Sequence, residues 1–100
     1  MEGDEVLTPA KAARLQRSAQ VLGQLLIWTV TYNTTDYQGR WVARPAMFPT
    51  SARLSKAEPE ALLGVLIADS LDGLREMLPP GLNVLARQEG DEPVIVEVWL

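Results

Sequence analysis

Two runs with a two-residue period, joined by a polar turn, constrain this chain more than anything else in it. Leu25 to Asn33 sets Trp28, Val30 and Tyr32 on one side and Thr29, Thr31 and Asn33 on the other. That is the pattern of a half-buried strand, built from residue types that suit a pleated surface. In Arg40 to Phe48, Trp41 and Ala43 fall on one face, and Arg40, Val42 and Arg44 on the other. Between the runs, Asp36 offers a side-chain acceptor and Gly39 tolerates positive φ, so Thr34 to Gly39 is read as the turn of a β-hairpin. Pro45 has no N–H to donate, and pairing is expected to stop near Arg44 or to pass through a bulge.

Upstream, Met1 to Leu7 is an acidic lead, expected to be frayed. Thr8-Pro9 is a cap followed by the residue best tolerated in a first turn, and the spacing of Ala12, Leu15, Ala19 and Leu22 predicts a helix over 9–22 with Gly23 as its stop. Lys11, Arg14 and Arg17 lie off that apolar stripe. They form either a solvated face or a small phosphate-contacting one, and three charges are a small footprint for nucleic acid.

Downstream, Pro49 to Pro59 reads as a loop, either a surface excursion or a functional segment. Leu62 to Ala68 is a short apolar run compatible with strand or buried helix. Gly64, Val65 and Ile67 favour strand, and Asp69-Ser70 reads as a fresh cap. A helix is expected from Leu71 to Leu78, with Leu71, Leu74 and Leu78 on one face and Pro79-Pro80-Gly81 as its end. Leu82 to Ala86 is read as semi-extended and Arg87 to Pro93 as a polar turn. Val94 to Leu100 is β-branched and nearly unbroken in its apolar character, as in a central strand covered on both faces.

These elements imply an α+β fold, an N-terminal helix followed by βββαβ. The expected sheet is mixed and four-stranded in the order 3-2-1-4, with the last strand delivered parallel to the first by a right-handed crossover. At 100 residues and 47% hydrophobic content the chain is expected to be one domain spanning 1–100.

Composition narrows the chemistry. There is no Cys and no His, which removes disulfides, thiolate metal sites, His-ligated metals and His-dependent nucleophilic catalysis. Net charge is −4, so broad attraction to nucleic acid or to an anionic membrane is not expected. No run reaches the roughly 18 apolar residues that span a bilayer. The start Met1-Glu2-Gly3-Asp4-Glu5 is acidic where a signal peptide is basic, and the expected setting is the cytoplasm of a bacterial-type cell.

Three blocks, Trp28 to Tyr32, Gly39 to Pro45 and Ala68 to Leu74, carry a resemblance. In their βββαβ order the chain resembles the partial ribonuclease-H-type domain of HicB-like antitoxins over about Trp28 to Leu100. The Ala68 to Leu74 block matches the strand-to-helix step of those domains, where a polar residue and Ser or Thr precede an amphipathic helix. The helix at 9–22 is extra. Such antitoxins often carry a separate DNA-binding segment after the domain, and none is expected here, so the resemblance implies the protein-binding half of that biology and not the repressor half. Asp36 to Gly39 together with Val94 to Trp99 also looks like a family of short uncharacterised bacterial proteins.

Carboxylates are the remaining catalytic stock: Asp36, Asp69, Asp72, Glu76 and Glu97. A Mg²⁺-dependent nuclease needs several of them to converge. The turn explains Asp36 and a helix N-terminus explains Asp69 and Asp72. Glu97 stands alone in an apolar strand, facing solvent or pairing with Arg40 or Arg44 across the sheet. Trp28, Trp41 and Trp99 are read as core anchors, with the alternative that one of them joins Tyr37 in an exposed hot spot.

The leading expectation is a small non-catalytic protein–protein interaction module, antitoxin-like or adaptor-like, with no cofactor and no metal. Its candidate interface residues are Thr29, Thr31, Tyr37, Arg40, Arg44, Val96 and Trp99. The last strand, taken as an open edge, implies a homodimer. An alternative class is a mobile-element inhibitor of a defence nuclease, of the anti-CRISPR kind. A carboxylate-dependent nuclease is the third.

Overall fold

A computed structural model describes residues 5–49, 60–61, 64–86 and 95–100. The loop expected at 49–59 and the turn expected at 87–93 lie outside the described residues, apart from Pro49, which ends a strand.

Helix α1 runs over Pro9–Val21. Thr8 is extended and its hydroxyl accepts the Lys11 N–H at 3.2 Å, satisfying one of the donors a helix start leaves unpaired. At the other end Gly23 adopts φ +68°, and its N–H donates to Gln20 O at 3.2 Å. Ala12 and Ala19 are fully buried and Leu15 packs against the core. Leu22, expected on the same stripe, is 65% exposed because the helix has already ended at Val21.

Strands β1 (Gln24–Tyr32) and β2 (Trp41–Pro49) form the expected hairpin, in antiparallel register from Gln24 opposite Pro49 to Tyr32 opposite Trp41. Pairing does not stop at Arg44. Asn33 donates to Arg40 O at 3.0 Å, so hydrogen-bonded and non-hydrogen-bonded pairs alternate from there and Trp28–Pro45 is a non-hydrogen-bonded pair. The Pro45 nitrogen therefore faces away from β1, where no N–H is needed.

It faces a break in the next rank. That rank consists of two pieces: β3 (Glu60–Ala61) opposite Ala46 and Met47, and β4 (Leu66–Ala68) opposite Trp41 to Ala43. Just before β4, Gly64 takes φ +124° and Val65 pairs with the N-terminal segment instead. Leu7 N–H donates to Val65 O at 2.7 Å and Val65 N–H to Glu5 O at 2.8 Å. Leu7 is 5% exposed. Residues 5–7 are thus pinned and not frayed: the backbone donors and acceptors that the break frees find partners there.

Helix α2 is Leu71–Met77, with the Ser70 hydroxyl accepting the Gly73 N–H at 3.0 Å as the Asp69-Ser70 pattern predicts. After it come β5 (Val84–Ala86) and β6 (Ile95–Trp99). The sheet order is β3-β2-β1-β6-β5, with β4 on β3's side of β2, and every ladder is antiparallel. Among the described residues the one parallel contact is the isolated bridge Val6–Val65.

The α+β class and the N-terminal helix agree with the sequence reading; the four-stranded mixed sheet in order 3-2-1-4 does not. The crossover from β4 delivers β5, and β6 doubles back between β5 and β1. The last strand is therefore antiparallel to β1 and lies inside the sheet, not at its edge. Reciprocal bonds of 2.7 and 2.9 Å between Asn83 and Leu100 extend the β5–β6 ladder.

Both helices lie on one face. Ala12 and Ala19 of α1, Leu74 and the following Leu78 of α2, and Leu26, Trp28 and Val30 of β1 belong to one cluster of buried side chains. No helix among the described residues is long and apolar enough to cross a membrane.

Candidate interaction surface

The registers determine which residues share the opposite face. Leu25, Ile27, Thr29 and Thr31 of β1 stand opposite Phe48, Ala46, Arg44 and Val42 of β2. Val98 lies beside Thr29, Leu85 beside Val98, and Ile67 beside Val42. An antiparallel sheet with one solvated face normally turns polar residues outward. Here the outward set is mostly apolar. Leu25 is 37% and Leu85 52% exposed, and Ile27, Phe48, Ile67 and Val98 are half-buried.

The cations on this face come with their own anions. The hairpin turn is built by Asn33 at φ +59°, whose Oδ1 accepts the Gly39 N–H at 2.7 Å. This places Asp36 beside Arg44, with Nη2 to Oδ2 at 2.7 Å. The Thr34 hydroxyl donates to Asp36 at 2.8 Å and does most to hold its carboxyl below the usual range, with Arg44 adding to the effect. The Arg44 guanidinium lies 5.5 Å from the centre of the half-buried Tyr37 ring. Arg40 pairs with Asp69 at 3.1 Å. Thr29, Thr31, Arg40, Arg44 and Tyr37 are therefore brought to one face and its rim. The Thr31 hydroxyl is buried with no hydrogen-bond partner among the described residues.

Val96 and Trp99 are placed elsewhere. Val30 stands opposite Glu97 and Thr31 opposite Ile95, which leaves Val96 as a β-bulge. The bulge puts Val96 with Glu97 and Trp99 on the helix side, where Val96 and Trp99 pack against the core. Trp99 has Trp28 of β1 on one side and Val84 of β5 on the other, so it lines no open edge. Trp28 is fully buried, as a core anchor should be, and Trp41 packs against Tyr32 with ring centroids 4.4 Å apart.

Glu97 neither faces solvent nor pairs with Arg40 or Arg44. It is 5% exposed and receives a two-pronged contact from Arg75 of α2, Nε to Oε1 at 2.9 Å and Nη2 to Oε2 at 3.0 Å. These bonds hold its carboxyl below the usual range against the opposing effect of burial. The Trp99 indole N–H adds a lesser share from a position short of hydrogen-bonding geometry. Arg75 also lies 3.6 Å from Asp72. Sequence reasoning did not single out Arg75; the unexplained Glu97 was the signal that a partner existed. Asp36, Asp69, Asp72 and Glu97 are each matched by an arginine, and no group of three or more acidic, His or Cys residues that could hold a metal occurs among the described residues.

On the helix side, Glu5, Leu7, Lys11, Arg14, Leu15 and Ser18 line an open groove, and Lys11 is engaged by Glu5 at 2.6 Å. No family model matches the chain, and neither the curated proteins nor the solved structures contain a match.

Proposed function

We propose that this protein is a non-catalytic protein-interaction module that works through the open face of its sheet, an antitoxin-like or adaptor-like role in the cytoplasm without cofactor or nucleic-acid ligand. The observation that carries this reading is the outward set Leu25, Ile27, Phe48, Val98 and Leu85 on a face that neither described helix covers. Contiguous exposed apolar surface on a small protein marks a place where another surface sits. The test is a photo-crosslinking side chain placed at Thr29, on the sheet face, or at Gln20, an exposed position of α1, in cells that make the protein. An adduct from the Thr29 position that disappears when Val98→Lys is added, with none from Gln20, supports the reading. Equal adducts from both positions, or none from Thr29, overturn it.

A further inference from the structure

We infer that the occupant of this face is a second copy of the same chain, the two sheets stacking across a two-fold axis. This rests on the reading of the sheet face as an interaction surface and assigns its partner. The strands themselves call for a second layer. Leu25-Leu26-Ile27-Trp28 in β1 and Ile95, Val96, Val98 and Trp99 in β6 are apolar on both sides, as in strands covered on both faces. Both helices lie on one side.

Charge then selects among partners. Arg44 is matched by Asp36 and Arg40 by Asp69, so among the described residues the face carries no unbalanced charge to recruit an acidic or a basic ligand. The chain as a whole is −4, which disfavours self-approach through any acidic surface and leaves a neutral apolar face as the place where two copies can meet. Size permits it. The strands that share the face are nine, nine, five, three, three and two residues long, which at about 3.3 Å per residue and about 4.8 Å between strands makes a face of roughly 500 Å². Two such faces bury on the order of 1,000 Å² in total, the lower bound for a specific association. Stacked sheets at the usual spacing of about 10 Å would interleave Leu25, Ile27, Phe48 and Val98 with their counterparts.

The test is mass by light scattering and sedimentation equilibrium on the full chain over about 1 to 200 μM, concentrations that bracket a micromolar dimer. The expected species is twice the 11.0 kDa chain mass. Leu25→Lys with Leu85→Lys, both at exposed positions, is expected to raise the dimer dissociation constant at least about tenfold while the circular dichroism spectrum stays native. Val84→Pro is the contrast, since it alters β5, the strand at one end of the sheet order. A dimer that resists the lysine pair and is lost with Val84→Pro overturns the stacked-face arrangement in favour of edge pairing. A monomeric mass throughout, with a heterologous adduct from Thr29, overturns the second copy and leaves the interaction surface standing. A monomeric mass with no adduct overturns both.

Discussion

Arg75→Ala should destabilise this protein far more than its partly exposed position suggests. The substitution leaves Glu97, with a side chain only 6% accessible, without the two bonds that hold its charge. Removing one member of a buried pair costs about 3–5 kcal/mol when the survivor is sealed from water. The Arg75 side chain is 42% accessible, so truncation opens a path for solvent, and the expected loss falls to about 2–3 kcal/mol. In a domain of this size that lowers Tm by on the order of 10–20 °C. Urea unfolding and thermal melts followed by circular dichroism measure it directly. Replacing both residues by leucine should return stability to within about 1 kcal/mol of wild type, because the cost lies in the orphaned charge and not in the missing bond. The pH dependence has a definite sign. Glu97 is held below the usual range in the fold, so the folded chain binds fewer protons than the unfolded one. The stabilisation is complete above the ordinary glutamate value of about 4.3 and is lost as pH falls through the folded value. The gap between wild type and Arg75→Ala should therefore narrow from pH 7 towards pH 3. A loss below about 0.5 kcal/mol at pH 7, or a gap that stays constant with pH, would refute the view that Arg75 sustains an ionised Glu97.

Gly64→Ala should cost about 1–3 kcal/mol, since φ is +124° and a Cβ would lie 2.8 Å from Leu7 Cδ2. In a Leu7→Ala background that cost should shrink but persist, and additive losses in a double-mutant cycle would sink the steric part of the account. Ser70→Ala should lose about 1 kcal/mol of stability by uncapping α2, and Ser70→Asp should not; equal melts for the two would contradict a capping role. Titration calorimetry with Mg²⁺, Mn²⁺ and Zn²⁺ should show no stoichiometric site, and binding tighter than about 10 μM would overturn the non-metalloprotein reading.

The elements that could be read from sequence were those whose signals are local. Thr8-Pro9 and Asp69-Ser70 mark helix starts through side chains that cap N–H groups three residues on, so proximity in sequence is enough. Alternation put Thr29 with Thr31 in β1, and Val42 with Arg44 in β2, because strand parity needs no knowledge of partners. What escaped depends on pairing between distant segments. β5 is three exposed residues with no period, and only its ladder with β6 makes it a strand. Its presence moved β6 from the edge to the interior. The bulge that turns Val96 to the helix side leaves no mark in residue type either. Pairing continued through Pro45 because its nitrogen faces a gap, a fact about the neighbouring rank. Arg75 was invisible as the partner of Glu97 because α2 had first to be laid over the sheet.

The position of β6 has a kinetic consequence. The β1–β2 hairpin closes across a short turn, an event of about 1–10 μs. The other side of β1 must wait for a segment near the opposite end of the sequence, with Trp28 meeting Trp99. Closing so long a loop is slow, and contacts of this separation raise the contact order and lower the folding rate. Until β6 arrives, an apolar strand keeps one row of backbone donors and acceptors open, the arrangement most prone to pair with the wrong chain. Substitutions in β6 should thus be felt in the yield of refolding at high protein concentration before they are felt in the melting temperature.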